Sequence, residues 1–294
     1  MTTDFWAVTG ATGYLGRALC ADLAASSIPS RGLARGGAEI AGDIRDREAV
    51  RALVRGASVV VHLAAYVHRR RGSERECWSV NVDGTQNVIN AVAEESPNAF
   101  IVFASTASVY RRSEAPLDEL APCRPATPYG RSKLEAEQRL LGRVREGVVH
   151  GCVLRPAMIF GPGAPGNLAR LAAMVRRGWA IEIARGAQRK SIVPVAHAVA
   201  AIRAVAARQA ACNGEIFNVA GETLTIHEII AALAASRAAK PHVISLPRWL
   251  IAPVSRVGSV QTYSTSAVLR GEKLSSMAGL DAPKNVREAL ARSV

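Results

Sequence analysis

Thr9-Gly10-Ala11-Thr12-Gly13-Tyr14-Leu15-Gly16 follows the apolar run Phe5-Trp6-Ala7-Val8 and leads into Arg17 to Ala25, where apolar residues recur at helical spacing. The order strand, glycine turn, helix decides the fold. Glycines at 10, 13 and 16 permit a tight turn, the close approach of backbone to a pyrophosphate, and close packing of helix on strand. The helix N-terminus then offers free N–H groups and the positive end of its dipole to phosphate. A merely tight turn is the competing reading of a lone glycine triplet; its place on the first strand favours the phosphate.

Outward from this turn the pattern repeats. Ser58 to Leu63, Ala99 to Phe103 and Val148 to Leu154 are short apolar runs, with helix-like segments between them at Arg47 to Arg55, Val80 to Glu95 and Ser132 to Val144. Buried strands alternating with helices imply right-handed crossovers and a parallel sheet covered on both faces. The expected class is α/β: a Rossmann-type doubly wound parallel sheet, the dinucleotide-binding domain, over residues 1–160. A smaller α+β part at 161–294 is expected mainly to bind substrate, with segments returning to the sheet. The boundary is read from the breaker-dense Gly161-Pro162-Gly163-Ala164-Pro165-Gly166.

With 294 residues, 49% apolar, 21% charged and mean hydropathy +0.11, the chain is neither a stapled miniprotein nor a disordered polyelectrolyte. A net charge of +13 and a pI of 10.3 invite a nucleic acid or an acidic membrane. The basic residues are five lysines and 32 arginines scattered along the chain, so an arginine-rich solvated surface is expected, with no nucleic-acid and no membrane partner. Five widely spaced cysteines (20, 77, 123, 152, 212) without a C-x-x-C pair point to reduced thiols in the cytoplasm and to no metal site. No signal peptide is expected from Met1-Thr2-Thr3-Asp4, and Arg248 and Arg256 interrupt the most membrane-like stretch, Val243 to Val260.

NAD sites of this kind place an acidic residue about 20 positions past the turn, on the ribose 2′-OH. Between Asp22 and Glu39 there is none; Arg31 and Arg35 stand there instead. Arg35 at a 2′-phosphate inclines the cofactor reading from NAD toward NADP, with a solvated arginine as the competing reading. Asp43 suits the adenine edge. Further on, Tyr129 and Lys133 stand four apart on one helical face. A tyrosine has an ordinary pKa near 10, and a neighbouring ammonium with an oxidised nicotinamide favours the phenolate. Lowering it by about three units takes roughly 4 kcal/mol. The hydroxyl run Ser105-Thr106-Ala107-Ser108 follows the third apolar strand, at a carboxyl end of the sheet where ligands bind in open α/β folds.

Thr9 to Gly16, Gly42-Asp43, His62-Leu63-Ala64-Ala65, Asn81-Val82-Asp83-Gly84-Thr85, the hydroxyl run to Tyr110, Tyr129 to Lys133, Arg155-Pro156 and Phe160 to Gly163 occur in that order. The set resembles the extended short-chain dehydrogenase/reductase family, in its NAD-dependent epimerase/dehydratase branch that modifies nucleotide sugars. The resemblance implies catalytic roles for Tyr129 (acid/base), Lys133 (nicotinamide ribose and tyrosine pKa) and Thr106 (reacting oxygen). It implies a cofactor cradle of Gly10, Thr12, Gly13, Tyr14, Leu15, Gly16, Arg35, Asp43, Ile44, Leu63, Ala64, Ala65, Asn81, Ala104, Ser105, Tyr129, Lys133 and Pro156. Thr106, Tyr129, Asn167, Leu168, Arg189 and Lys190 would hold the substrate, with Lys190 where the family often has Arg. Ala107-Ser108 in place of Asp-Glu after Thr106 disfavours sugar dehydration, and Met158 replaces a frequent Asn. His197 replaces a usual Asp and reads as structural. His68 to Arg71 reads as an exposed charged loop, with diphosphate attraction as the alternative. The expected function is an NAD(P)-dependent nucleotide-sugar epimerase or 4-ketoreductase; the alternative is a catalytically silent dinucleotide sensor or scaffold. A homodimer would be the family's habit.

Overall fold

The computed structural model describes residues 4–67, 74–111, 113, 115–235, 240–247, 249 and 266–293. The His68 to Arg71 loop and most of the Val243 to Val260 stretch lie outside them.

Strand β1 (Trp6–Thr9) enters the glycine turn, and helix α1 (Tyr14–Ala25) leaves it. The chain then alternates through β2 (Ser30–Ala34), a short β3 (Ile40–Ala41), α2 (Arg47–Val54), β4 (Val59–His62), α3 (Glu74–Trp78) and α4 (Gly84–Glu95). After β5 (Phe100–Ala104), α5 (Pro128–Arg145) and β6 (His150–Pro156) complete this series. All neighbouring strands of the main sheet pair in parallel, in the order β10-β6-β5-β4-β1-β2-β3, where β10 is Ile216–Val219. The sheet order reverses around β1, the switch point at which open α/β sheets leave a crevice. The fold class is the expected doubly wound one.

Side chains alternate across the sheet. Val59, Val61, Phe100 and Val102 pack with Leu19 and Leu23 of α1 and with Val199, Ile202 and Val205 of the later helix α7 (Val195–Ala207). Val60, Ile101, Phe103 and Val153 face α2, α4 and α5 through Leu53, Val88, Ile89 and Leu140. This is the period of two that a strand imposes, with both faces covered. Asp46 caps α2 by accepting from the backbone of Glu48 and Ala49, and Thr127 caps α5 ahead of Pro128 at its first turn.

The chain after Phe160 contributes to two places. Strand β10 and helix α7 join the main sheet and one of its helical layers. The remainder includes α6 (Asn167–Arg176), β8 (Trp179–Ile183), β9 (Arg189–Pro194), β11 (Thr223–Thr225), α8 (Ile226–Ala234) and β12 (His242–Leu246). Together with β7 (Met158–Phe160), β9 and β11 form a three-stranded sheet; Phe160, Leu168, Leu171, Ile229, Ile230 and Leu233 lie in the third core.

Candidate active site

Gly10 adopts φ +69, and a Cβ there would lie 2.8 Å from the Cα and N of Ala64. A Cβ at Gly16 would lie 2.2 Å from the Gly10 carbonyl oxygen. The first and third glycines are therefore demanded by contact, not only by the turn. Gly10, Thr12, Gly13, Arg35, Asp43, Ile44, Leu63, Ala64 and Ala65 line one groove of ≈ 420 Å³, joined by Leu33, Gly36, Tyr66 and Val80. Tyr66 was missed, and nothing in its sequence context marks it. Tyr14, Leu15 and Gly16 do not line the groove: they begin α1, where Gly16 is buried. The Tyr14 hydroxyl is buried without a partner, close to where a Cβ of Gly161 would stand.

The groove's far wall is held by a chain of hydrogen bonds. Backbone N–H groups of Leu63 and Ala64 donate to Thr9 Oγ1 at 3.1 Å each, so the Thr9 proton is free for His62 Nδ1, 2.6 Å away. His62 Nε2 then donates to Thr85 Oγ1 at 2.9 Å, and Thr85 donates to the Asn81 carbonyl at 2.6 Å. The chain assigns the Nε2-protonated tautomer. Burial, aided by the nearby Lys133 charge, lowers the His62 pKa to about 3. The folded value lies below the unfolded 6.5, so its contribution to stability is present above pH 6.5 and is lost as pH falls. Unfolding free energy is expected to drop between pH 6.5 and 5 with a slope reaching about 1.4 kcal/mol per unit, and His62→Gln to flatten it. Urea titrations at each pH measure the slope; equal slopes in both proteins would contradict this assignment.

Asn81, expected at the cofactor, does not line the groove. It is buried, its Oδ1 accepts from the Tyr66 backbone at 2.7 Å, and its Nδ2 donates to the Tyr66 carbonyl at 3.1 Å and to Ser132 Oγ at 2.9 Å. It clamps the groove wall from behind. Asp43 lines the groove, but both its oxygens accept from Arg45, at 2.9 Å each; these bonds hold its carboxyl below the usual carboxylate range. An adenine edge would compete with Arg45 for them.

A second groove, ≈ 340 Å³, opens at the carboxyl ends of β5 and β6. Thr106, Pro156, Asn167, Leu168 and Lys190 line it, with Tyr110, Leu117, Met158 and Leu269. Pro156, expected at the cofactor, therefore stands here. Lys190 is buried, whereas its neighbour Arg189 is exposed and outside the groove. Successive residues of β9 point to opposite faces, so the pair expected to act together is split.

Thr106 lines the second groove, and Tyr129 and Lys133 of α5 line neither of the two. The Thr106 hydroxyl accepts from the Ser108 backbone at 3.1 Å and donates to Ser108 Oγ at 3.2 Å, and it lies beside Tyr129. Burial raises the Tyr129 pKa to about 12, with Cys77 adding to the rise and Thr106 opposing it. One turn on, Lys133 is 1% exposed, with Nζ 3.9 Å from the Phe103 ring centroid; burial lowers its pKa to about 7, against the pull of Glu137 and Cys77. Ser105 Oγ, at the end of β5 beside Ala104, is buried without a partner. His197 is buried at the start of α7, and burial lowers its pKa. Among the described residues no three His, Cys, Asp or Glu side chains cluster as metal ligands, and no helix is long and apolar enough to cross a membrane.

A glycine turn at the switch point, the groove it lines, and a Tyr/Lys pair one helical turn apart on α5 belong to a Rossmann-type fold. The chain belongs to the NAD dependent epimerase/dehydratase family, whose model matches residues 6–220. It is 30% identical over 210 residues to "N-acetyl-alpha-D-glucosaminyl-diphospho-ditrans,octacis-undecaprenol 4-epimerase" of Escherichia coli O157:H7, covering 70% of this chain and 62% of that protein. It is also 30% identical over 248 residues to "2-alkyl-3-oxoalkanoate reductase" of Stenotrophomonas maltophilia, covering 78% and 74% of the two chains. The solved structure "MoeE5 in complex with UDP-glucose and NAD" shares the fold with a TM-score of 0.84 at 24% identity, over 99% of this chain and 97% of that one.

Proposed function

We propose that this chain is an NAD(P)-dependent oxidoreductase acting at a carbon of a nucleotide sugar, as an epimerase or a 4-ketoreductase. The observation that carries the reading is Tyr129 one helical turn from buried Lys133, near Thr106, which lines a groove that also holds Asn167 and Lys190.

The residues present fit a dinucleotide. The backbone cradle at Gly10 excludes any side chain, the groove is lined by the glycine turn and Arg35, and the Ser105 hydroxyl is buried and orphaned. Gly10, Thr12, Gly13, Arg35 and Leu63 to Ala65 would hold it, with Lys133 at the nicotinamide ribose. When bound, the cofactor supplies hydride exchange with the sugar carbon. Thr106 orients the reacting oxygen. Tyr129, protonated at rest, gives its proton to a carbonyl oxygen; in the reverse sense its phenolate takes the proton of a hydroxyl, favoured by the Lys133 ammonium.

Arg35 is exposed at the end of β2, and the one carboxylate on this wall, Asp43, is bonded to Arg45. This supports NADP over NAD. Arg35→Ala is expected to weaken NADPH binding about tenfold and NADH binding less than about twofold. Calorimetric titration of both cofactors measures this; equal losses would remove the preference.

Incubation with UDP-hexoses and UDP-N-acetylhexosamines should interconvert epimers, or NAD(P)H should be consumed with a 4-keto sugar. A second reading rests on the substrate groove's apolar wall of Leu117, Met158, Leu168 and Leu269: reduction of a ketone on an apolar chain. Turnover of a 2-alkyl-3-oxoalkanoate with none of any nucleotide sugar would select it. Cofactor binding without turnover of either would leave the silent sensor.

A further inference from the structure

Helix α5 carries more than the tyrosine and lysine. Tyr129, Lys133 and Glu137 follow one another at single-turn spacing, and the third is as deeply enclosed as the second: Glu137 and Lys133 are each 1% exposed. Arg155, 3% exposed, reaches Glu137 from β6, its Nη2 at 2.6 Å from Oε2 and its Nε at 3.1 and 3.2 Å from the two oxygens. Arg155 is itself fixed from the other side, its guanidinium 4.8 Å from the Tyr110 ring centroid, while the Tyr110 hydroxyl donates to Asn218 of β10. A buried row therefore runs phenol, ammonium, carboxylate, guanidinium, across the seam between α5 and β6.

We propose that Glu137, clamped by Arg155, is the counter-ion that keeps the Lys133 ammonium charged, and so is a positioning residue for the acid/base pair. Burial opposes the lysine's charge, and the carboxylate one turn away is the only acidic oxygen on its own helix face that answers it. The other groups around Lys133 do not supply this. Cys77 on α3 lends a smaller pull, His62 on β4 is neutral, Phe103 on β5 presents a ring face, and Tyr129 is protonated. The Arg155 clamp on both oxygens explains why a lone acidic residue is tolerated so deep in the core.

The inference rests on Lys133 serving the proposed reaction, but its test reads the lysine itself. With only five lysines in the chain, ε-¹³C-lysine labelling gives a spectrum that Lys133→Met assigns. In the unliganded protein the Lys133 resonance should titrate near 7, and in Glu137→Gln it should titrate lower by about one unit or more. Glu137→Gln leaves the Arg155 charge unpaired. The double variant Glu137→Gln/Arg155→Gln, with two facing amides and no net charge, keeps the test valid if the single variant fails to fold. A downward shift is expected there too, smaller than in the single variant because the Arg155 charge leaves with the carboxylate. An unchanged Lys133 titration in the folded double variant overturns the proposal; loss of nucleotide-sugar turnover with an unshifted lysine would mark a purely structural pair. Failure of the enzyme assay with the lysine shift present would instead count against the proposed substrate alone.

Discussion

Tyr129→Phe is expected to lower turnover by about 10²–10⁴-fold, while cofactor affinity, read by quenching of NAD(P)H fluorescence, changes less than about twofold. The substitution removes one oxygen and leaves the ring in place at the start of α5. The direction of the reaction shapes the size of the loss. At rest the phenol, with a pKa of about 12, holds its proton at any working pH, so it is ready as an acid for reduction. As a base it must be brought down by about five units, roughly 7 kcal/mol, by the neighbouring ammonium and by the positive charge of an oxidised nicotinamide. Oxidation of a sugar hydroxyl should therefore depend more steeply on Lys133 than ketone reduction does. A Tyr129→Phe variant that keeps more than about a tenth of the activity would remove Tyr129 from the reaction.

The second large effect falls on stability. Arg155→Met is expected to cost about 3–5 kcal/mol, because the Glu137 carboxylate is left in the core without its partner. Burial works against the guanidinium charge, and Glu137 more than offsets it, so the pair is held ionised in the folded protein. The Arg155 face over Tyr110 is lost as well, and with it one tie between β6 and the wall of the substrate groove. Urea unfolding at neutral pH measures the change. Replacing both partners together, as Arg155→Met/Glu137→Leu, should recover most of it, since no charge then remains buried. A single variant that loses less than about 1 kcal/mol would show that water reaches Glu137 in the native state.

The sheet was legible because strand burial and glycine spacing are local properties. Val59-Val60-Val61 and Phe100 to Phe103 carry no polar residue, as strands covered on both faces require, and the Gly10 to Gly16 turn states its own backbone needs. At the candidate site, motifs placed Tyr129 and Lys133 one turn apart on a helix and Thr106 past the end of a strand, where they stand. What escaped depends on which way a side chain turns or on contacts distant in sequence. Adjacent Arg189 and Lys190 look equivalent as letters, and only the β9 pleat separates them. The bonds of the Asn81 amide to Tyr66, 15 residues away, carry no mark in the sequence. No spacing rule joins Glu137 to Arg155, and the pairing of β8 with β12 brings Trp179 beside His242, across a stretch with no regular pattern.

Strand β10 has a consequence for how the molecule must be made. Residues 216–219 cover the outer side of β6, the last strand of the motif-bearing half. Until the ribosome has delivered them, that half exposes a row of unsatisfied amides and carbonyls on a flat, apolar edge, the feature that recruits other chains into aggregates. A fragment ending at the breaker-rich loop inherits this sticky border permanently, so a biosensor or fusion built on the nucleotide-binding half alone needs a substitute strand.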